Sequence, residues 1–450
     1  MKNKIDKLVL IIPPSPWLLS DRDIPMMGIL YIAEYVKHRC EVVVCDLSGL
    51  EEKDWYIPVG DMYGVTGVSP QFVYMQRIID ILKDREPDKP VIAGGVHATV
   101  ASQHLLDNTQ VDACVVGEGE RAMLNLVSGY DWDKVPGVIT RKSNAGSAHL
   151  VVDIDFLEPD RKAIDYYSYL EPRTFGYMAD VKREGSIITG RGCPFACSFC
   201  ASKKMHAGKV RFKGAEFVVN ELLYLQDEFG VEMVNILDDT FILDKKRVYK
   251  ICRLLRGKGL KWFCLTRADC IDRDLLLEMK TAGCLSVGIG FETGSDRLLK
   301  LMNKKIAIAQ ARECVKIVSL TGLLINGQLI VGFPTETDED VHLTERFIKD
   351  NPEVDTFGLH MFQPFPGTDV WEHSEKYGIE IDKNTDFADF HTIGRHDGKY
   401  HKDPVLDARY RYLKSIVGDR SRELRICKNT VYHKNVKDGL EPNGKCGCQK

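Results

Sequence analysis

Two runs of alternating strand and helix patterns, separated by a stretch with neither, constrain this chain more than any other feature. In the first run, short apolar segments at Leu8 to Ile12, Glu41 to Cys45, Tyr63 to Val68, Val91 to Ala93 and Ala113 to Val116 read as strands. Helical periodicity lies between and after them at Met27 to Lys37, Phe72 to Lys83, Ala101 to Asp107 and Arg121 to Val127. Parallel neighbours need a crossover, and crossover helices cover both faces of the sheet, so this pattern predicts an α/β, doubly wound parallel sheet. Ligands of such sheets sit beyond the carboxyl ends of the strands. The residues there are Pro13-Pro14, Asp46-Leu47-Ser48-Gly49, Ser69-Pro70-Gln71, Gly94-Gly95-Val96-His97-Ala98-Thr99 and Gly117-Glu118-Gly119-Glu120, a small, polar, glycine-rich rim.

From about Pro136 to Glu184 regularity weakens, and from Gly185 a longer alternation begins. Strands are expected at Ser186 to Thr189, Met233 to Leu237, Trp262 to Thr266, Ser286 to Phe291, Leu324 to Val331 and Thr356 to Phe362, each but the last followed by helical periodicity. That predicts a partial (β/α)6 barrel, followed by a small helical C-terminal region. The expected division is 1-140 for the first sheet, 141-184 for a linker, 185-380 for the barrel and 381-450 for the C-terminal region. Strand alternation also aims side chains. Leu285, Val287, Ile289 and Phe291 form the apolar set that meets helices, so Glu292 points inward, and Asn326 and Gln328 line the interior of the next strand.

Composition narrows the function classes. A net charge of -4 gives no basic footprint for nucleic acid. No run approaches twenty apolar residues, so no membrane span is expected, and the polar start, running directly into a strand, predicts a soluble cytoplasmic protein. Fourteen cysteines without an export signal argue for reduced thiols, with metal or catalytic roles only where they cluster. Cys40, Cys45, Cys114, Cys252, Cys264, Cys270, Cys284 and Cys314 stand singly and read as small buried hydrophobes. Cys446 and Cys448 lie in a tail expected to fray.

One set does cluster. Cys193, Cys197 and Cys200, in Arg191-Gly192-Cys193-Pro194-Phe195-Ala196-Cys197-Ser198-Phe199-Cys200, follow the first strand of the second run, at the rim where barrel active sites form. A four-iron cluster usually takes four thiolates, so three leave one iron open to a ligand. The alternative is zinc held by the three cysteines and His206.

The motif resembles that of the radical S-adenosylmethionine (SAM) superfamily, in the branch with an N-terminal cobalamin (B12)-binding domain. The resemblance runs in family order through Gly94-Gly95-Val96-His97-Ala98-Thr99, Gly117-Glu118-Gly119-Glu120, the cysteine loop, Asp238-Asp239-Thr240-Phe241, Gly290-Phe291-Glu292-Thr293-Gly294-Ser295, Met302-Asn303-Lys304, Gly332-Phe333-Pro334-Thr335-Glu336-Thr337 and Pro364-Phe365-Pro366-Gly367-Thr368. It implies a [4Fe-4S] cluster on Cys193, Cys197 and Cys200, reductive cleavage of SAM to a 5′-deoxyadenosyl radical, and a reductant protein such as flavodoxin or ferredoxin. It implies SAM contacts from Phe199, Asp238, Asp239, Arg267, Glu292, Ser295, Gln328 and Phe333. Local alternatives are a cap for Asp238, a surface pair with Asp269 for Arg267, and a helix-start charge for Glu292.

In the first domain the resemblance implies cobalamin, with Ser69, Gln71, Gly94, Gly95, His97, Thr99, Gly117, Gly119 and Glu120 as the binding rim. Asp46-Leu47-Ser48-Gly49 carries no histidine, so that loop supplies no axial imidazole, and His97 reads as a loop histidine bonded to backbone. The activity implied is cobalamin-dependent methylation of an unactivated carbon. A radical rearrangement, cyclisation or oxidation without methyl transfer is the alternative, and an RNA methylthiotransferase-like role lacks its usual additional cysteines. His360, Gln363, His391, His396 and His401 are polar groups available for specificity, but their spacing selects no substrate and no residue is singled out as catalytic.

Overall fold

The computed structural model describes residues 5–18, 20–171, 181–390 and 403–428; His391, His396, His401, Cys446 and Cys448 lie outside them. The first sheet comprises β1 (Lys7–Ile12), β2 (Glu41–Asp46), β3 (Met62–Thr66), β4 (Val91–Gly94), β5 (Ala113–Val115) and β6 (Val138–Ile139), in the order β2-β1-β3-β4-β5-β6. Five strands are parallel, and β6, in a stretch where sequence periodicity is weak, closes the edge antiparallel to β5. Helices α1 (Met27–Val36), α2 (Phe72–Arg85), α3 (Gly95–Val100), α4 (Ser102–Asn108) and α5 (Glu120–Val127) complete the layers. Val9, Ile11, Val65, Met75, Ile79 and Ala93 are fully buried in one core. Chain order reverses between β1 and β3, which makes their carboxyl ends the topological switch point.

The second sheet starts with β7 (Glu184–Ile187). After it come a small antiparallel ribbon, β8 (Gly190–Arg191) with β9 (Arg211–Phe212), and the short helix α6 (Ser202–Met205) between its strands. The sheet continues with β10 (Met233–Ile236), β11 (Lys261–Thr266), β12 (Cys284–Glu292), β13 (Leu324–Val331) and β14 (Thr356–Met361), all parallel, each beside its neighbour in sequence, with β7 and β14 at the edges. Helices α7 (Ala215–Phe229), α8 (Lys245–Leu255), α9 (Arg273–Thr281), α10 (Asp296–Leu301), α11 (Ile308–Ser319) and α12 (Asp338–Asp350) supply the crossovers. Their starts follow local chemistry: Asp244, Asp272, Ser295 and Thr337 each accept an N–H from the first turn. This is the open six-unit architecture expected from the alternation. Two further helices, α13 (Asp369–Glu372) and α14 (Pro404–Lys428), follow.

The described residues form two compact units that interleave along the chain. One draws on Met1–Tyr166, Gly190–Lys213 and Gln363–Arg395, the other on Tyr167–Thr189, Gly214–Phe362 and His396–Lys450. The cysteine loop therefore packs with the first sheet rather than with the strand it follows. Periodicity reports faces of elements, not which body a long loop joins.

Candidate functional site

At the end of β7, Asp238 accepts from the Thr189 N–H at 2.6 Å and from its hydroxyl at 2.5 Å, and Arg247 donates to the Thr189 carbonyl at 2.9 Å. Asp238 is thus the group that fixes the exit of the strand, while Asp239 beside it is exposed. Beyond Thr189 the loop is held by charge. Arg191 pairs with Glu120 at 2.6 Å and with Glu118 at 3.4 Å, and lies over the Tyr31 ring. Arg211 binds both oxygens of Glu118, one at 2.8 Å, and the Val151 carbonyl at 2.6 Å. Burial pushes the Glu118 carboxyl up, but the hydrogen bonds from Arg211 and His206 and the Arg191 charge outweigh it and hold it well below the usual carboxylate range. Glu120, expected on the cobalamin rim, is buried and clamps the cysteine loop through Oε1, while its Oε2 has no partner among the described residues. His206, the fourth ligand of the zinc alternative, stands with Nδ1 3.3 Å from Glu118. Gly192 has φ +91, and a Cβ there would collide with the Lys209 carbonyl, so only glycine fits this close approach.

Within the loop, the Cys200 N–H donates to the Cys197 carbonyl at 3.1 Å, the Ser202 N–H points to the Cys200 sulfur at 3.5 Å, and the Val370 N–H donates to the Ser198 carbonyl at 3.1 Å. Cys193 and Cys197 are half-buried and Cys200 is exposed. Among the described cysteines only these and Cys270 reach solvent, and all are outside disulfides. Burial pushes the thiols of Cys114, Cys252 and Cys314 up to about 12 and that of Cys45 to about 11, values that disfavour the thiolate a metal needs. Among the described residues no three His, Cys, Asp or Glu side chains gather tightly enough for one ion. A four-iron cluster does not require that, since each thiolate binds its own iron. The loop fits such a cluster better than a zinc ion.

The second unit carries a polar inner face. Glu292 is buried, at φ +65, just past a register shift in β12, and its carboxylate meets the buried Lys304 ammonium at 2.5 Å. Phe291 packs edge-on against Phe347 of α12, the helix side, as alternation predicts. The side chains of Asn326 and Gln328 bond each other, and Gln328 Oε1 lies 2.6 Å from His360 Nε2. A buried left-handed glutamate is strained by about 1–3 kcal/mol and persists where its surroundings hold it, commonly at a working site. Thr335, on the surface, is also left-handed at φ +65. Asn235 Oδ1 and Thr266 Oγ1, on β10 and β11, are buried with no hydrogen-bond partner among the described residues, the kind of orphaned atoms a bound ligand satisfies.

Three expected SAM contacts have local employment. Arg267 is bidentate on Asp269, both bonds 2.9 Å, and donates to the Lys304 carbonyl at 2.6 Å; the pair forms, but Arg267 is buried. Ser295 caps α10 and bonds Asp340 at 2.6 Å. Phe333 packs edge-on against Phe362 in the core. Sequence reading missed Lys304 and Thr266 as side chains of interest, although Met302-Asn303-Lys304 had marked the first.

Several rim side chains of the first sheet bond within the fold, although His97 Nε2 and Glu120 Oε2 are buried with no partner among the described residues. Gln71 accepts from the Val68 N–H at 2.9 Å and donates to the Pro13 carbonyl and the Ser15 hydroxyl, tying the loops after β1 and β3 together. Thr99 bonds the Gly95 carbonyl and the Gly117 N–H. His97 lies on α3, not on a loop, fully buried with Nδ1 3.1 Å from the Ser69 hydroxyl rather than on backbone. Burial lowers its pKa to about 3. Side chains at Gly117 and Gly119 would press on Ala148 and Ile32, so these glycines face protein, as does Gly95 against Thr66; a Cβ at Gly94 meets open space. Of the expected rim, Gly94 and Ser69 remain positioned to face a ligand.

A pocket of about 320 Å³ lies at the switch point, with Trp17 following β1, and Val68 and Pro70 following β3. Phe199 and Ala201 of the cysteine loop form another wall. This apolar crevice at the carboxyl ends of parallel strands fits one face of a large planar cofactor.

Residues 187–348 match the model of the radical SAM superfamily, and residues 20–127 that of the B12 binding domain. The chain carries a radical SAM domain and, before it, a B12-binding domain. A radical SAM domain implies a [4Fe-4S] cluster and SAM, and a B12-binding domain implies cobalamin. The chain is 29% identical over 393 residues to an uncharacterised methyltransferase of Pyrococcus horikoshii, covering 82% of this chain and 83% of the relative. It is 29% identical over 332 residues to the anaerobic magnesium-protoporphyrin IX monomethyl ester cyclase of Rubrivivax gelatinosus, covering 69% of this chain and 58% of that one. The radical SAM methyltransferase TsrM of Kitasatospora setae, solved with cobalamin and a [4Fe-4S] cluster, shares the fold, with a TM-score of 0.66, 19% identity, and coverage of 82% of this chain and 75% of that one. Radical SAM enzymes need a reductant, and among the described residues no helix is long and apolar enough to cross a membrane.

Proposed function

We propose that this chain is a cobalamin-dependent radical SAM methyltransferase acting on an unactivated carbon. The observation that carries the reading is the switch-point pocket, whose walls include Phe199 and Ala201 of the cysteine loop, so residues beside two cofactors' expected places line one cavity. When bound, the cluster supplies the electron that cleaves SAM to a 5′-deoxyadenosyl radical, and cobalamin carries a methyl group. Cys193, Cys197 and Cys200 would hold the cluster, with the Ser202 N–H donating toward the Cys200 sulfur. The Glu118, Glu120, Arg191 and Arg211 network keeps the loop in one arrangement, and the apolar pocket excludes water. In the second unit we assign Asp239, Glu292, Lys304 and Gln328 to the polar parts of SAM. The electron donor would be a flavodoxin or ferredoxin, and the reduced thiols favour a cytoplasmic location.

The likeness to a cyclase favours a second reading, radical chemistry without methyl transfer. Anaerobic purification with metal analysis, followed by product analysis, separates the two. We expect iron and cobalt together, with S-adenosylhomocysteine, 5′-deoxyadenosine and a methylated product. Cys197→Ala should abolish 5′-deoxyadenosine formation and retain cobalamin. Protein that lacks cobalt and forms no S-adenosylhomocysteine would end the methyltransferase reading.

A further inference from the structure

The last strand of the second sheet carries a polar group with no part in the function proposed above. Register sets Thr356 beside Asn326, Gly358 beside Gln328 and His360 beside Ile330. Alternation places Thr356, Gly358 and His360 on one face of β14 and Phe357 on the other. Phe357 meets Phe347 of α12 at 6.4 Å between ring centroids, so His360 lies on the inner face. Glu292 registers with Leu329, and Leu329 with Leu359, which puts His360 one residue beyond the level of Glu292, toward the carboxyl ends of the strands where barrel active sites form. His360 follows the radical SAM match, which ends at residue 348, and lies in none of the stretches that carry the resemblance to the superfamily.

A chain of side-chain amides fixes how the imidazole is presented. Gln328 Nε2 donates to Asn326 Oδ1, which turns Gln328 Oε1 toward His360 Nε2 at 2.6 Å. A carbonyl oxygen only accepts, so Nε2 carries the proton, and in the neutral ring Nδ1 keeps its lone pair. Burial lowers the His360 pKa, against a smaller opposing pull from the Glu292 charge, so the ring is neutral at pH 7. The amide has a seat shaped for it. A Cβ at Gly358 would stand 2.5 Å from Gln328 Oε1, so glycine is what lets the amide cross β14 to the ring. The ring is half-buried, and its Nδ1 has no hydrogen-bond partner among the described residues. On the same face Thr356 Oγ1 is buried and likewise without a partner among the described residues. A lone pair held in this way fits a hydrogen-bond donor, whereas a carboxylate or phosphate would meet it with no proton between them.

We propose that His360 is a specificity-determining residue whose Nδ1 accepts a hydrogen bond from an O–H or N–H group of the substrate, with Asn326, Gln328 and Gly358 positioning it. The proposal rests on the methyl-transfer reading and names the substrate class of the same site. SAM is served by other groups, Asp239, Glu292 and Lys304, and Gln328 keeps its second amide N–H for the role assigned to it there.

The test uses reconstituted holoprotein and two probes, phenol and anisole, which differ by one O–H donor. In anaerobic equilibrium dialysis with SAM present, phenol should bind about fivefold more tightly than anisole, the worth of one neutral hydrogen bond. His360→Phe should abolish that preference, and His360→Asn, whose Oδ1 stands near the place of Nδ1, should keep part of it. Gly358→Ala, which crowds the Gln328 amide, should reduce it about twofold. Cobalamin and cluster absorbance, measured in each variant, guard against a folding failure. Nitrogen-15 NMR of histidine-labelled protein, with the cluster oxidised, should show the ring of His360 protonated at Nε2 and bare at Nδ1, and phenol should shift the Nδ1 resonance. Equal affinity for the two probes in the unaltered protein, an unchanged preference in His360→Phe, or a proton on Nδ1 would overturn the proposal. Loss of SAM binding from His360→Phe would overturn it as well, because the ring would then belong to the cofactor. A phenol preference that depends on His360, in protein that makes no S-adenosylhomocysteine, would uphold the ligand class while removing methyl transfer.

Discussion

The two parallel sheets obey the same local rules and set different polar groups around their sites. In the first unit, Gln71 joins two loops, Glu118 holds two arginines, and His97 sits neutral among aromatic rings with its Nε2 unpartnered among the described residues. In the second, Glu292, Lys304, Gln328 and His360 gather on the inner face, where Asn235 and Thr266 each carry a buried atom with no partner among the described residues. The first unit carries an apolar crevice; the second carries a polar inner face. Burial favours the neutral form of a titrating group in each unit. His97 in the first is pushed down to about 3 by burial and by neighbouring His104, and Glu336 in the second is pushed up to about 7, chiefly by burial.

The difference between the units can be broken with single substitutions. A histidine whose folded value lies below its unfolded value of 6.5 binds fewer protons folded than unfolded. Its stabilisation is therefore full above 6.5 and is lost as pH falls toward 3, about 5 kcal/mol across the window. His97→Gln should flatten this acid slope in thermal midpoints measured from pH 5 to 7; an unchanged slope would assign it to other groups. Next in size, Glu118→Gln leaves buried Arg191 and Arg211 short of a charge and should lower stability by about 4 kcal/mol in urea titration at pH 7. A loss under 1 kcal/mol would mean the clamp is not what fixes the loop. Smallest is Glu336, whose folded value exceeds its unfolded value of 4.5. Stability from its protonated form is full below 4.5 and lost as pH rises through about 7, about 3 kcal/mol in all. Glu336→Gln should raise the thermal midpoint at pH 8 and leave it unchanged near pH 4.5.

Much of the fold was legible because strand and helix periods are local. The strand Leu324 to Val331 falls where the pattern puts it, and the inward set Glu292, Asn326 and Gln328 follows from alternation. The cysteine set was legible from spacing and from the contrast with isolated, buried thiols. Less legible were the roles of single polar residues. Asp238, Ser295, Gln71 and Glu120 stand at rims where ligands bind, yet each bonds a residue distant in sequence, Thr189, Asp340, Ser15 and Arg191. Nothing local announces such partners.

The amino-acid sequence alone therefore determined the two alternating α/β runs, the three-cysteine loop and the family these imply, because period and spacing are properties of neighbouring residues. Tertiary structure decided that the cysteine loop and the residues after β14 pack with the first sheet, that Glu292 is paired with Lys304, and that Trp17, Phe365 and Phe390 face one pocket. Those outcomes depend on long-range burial and charge pairing, which bring together residues that no sequence interval connects.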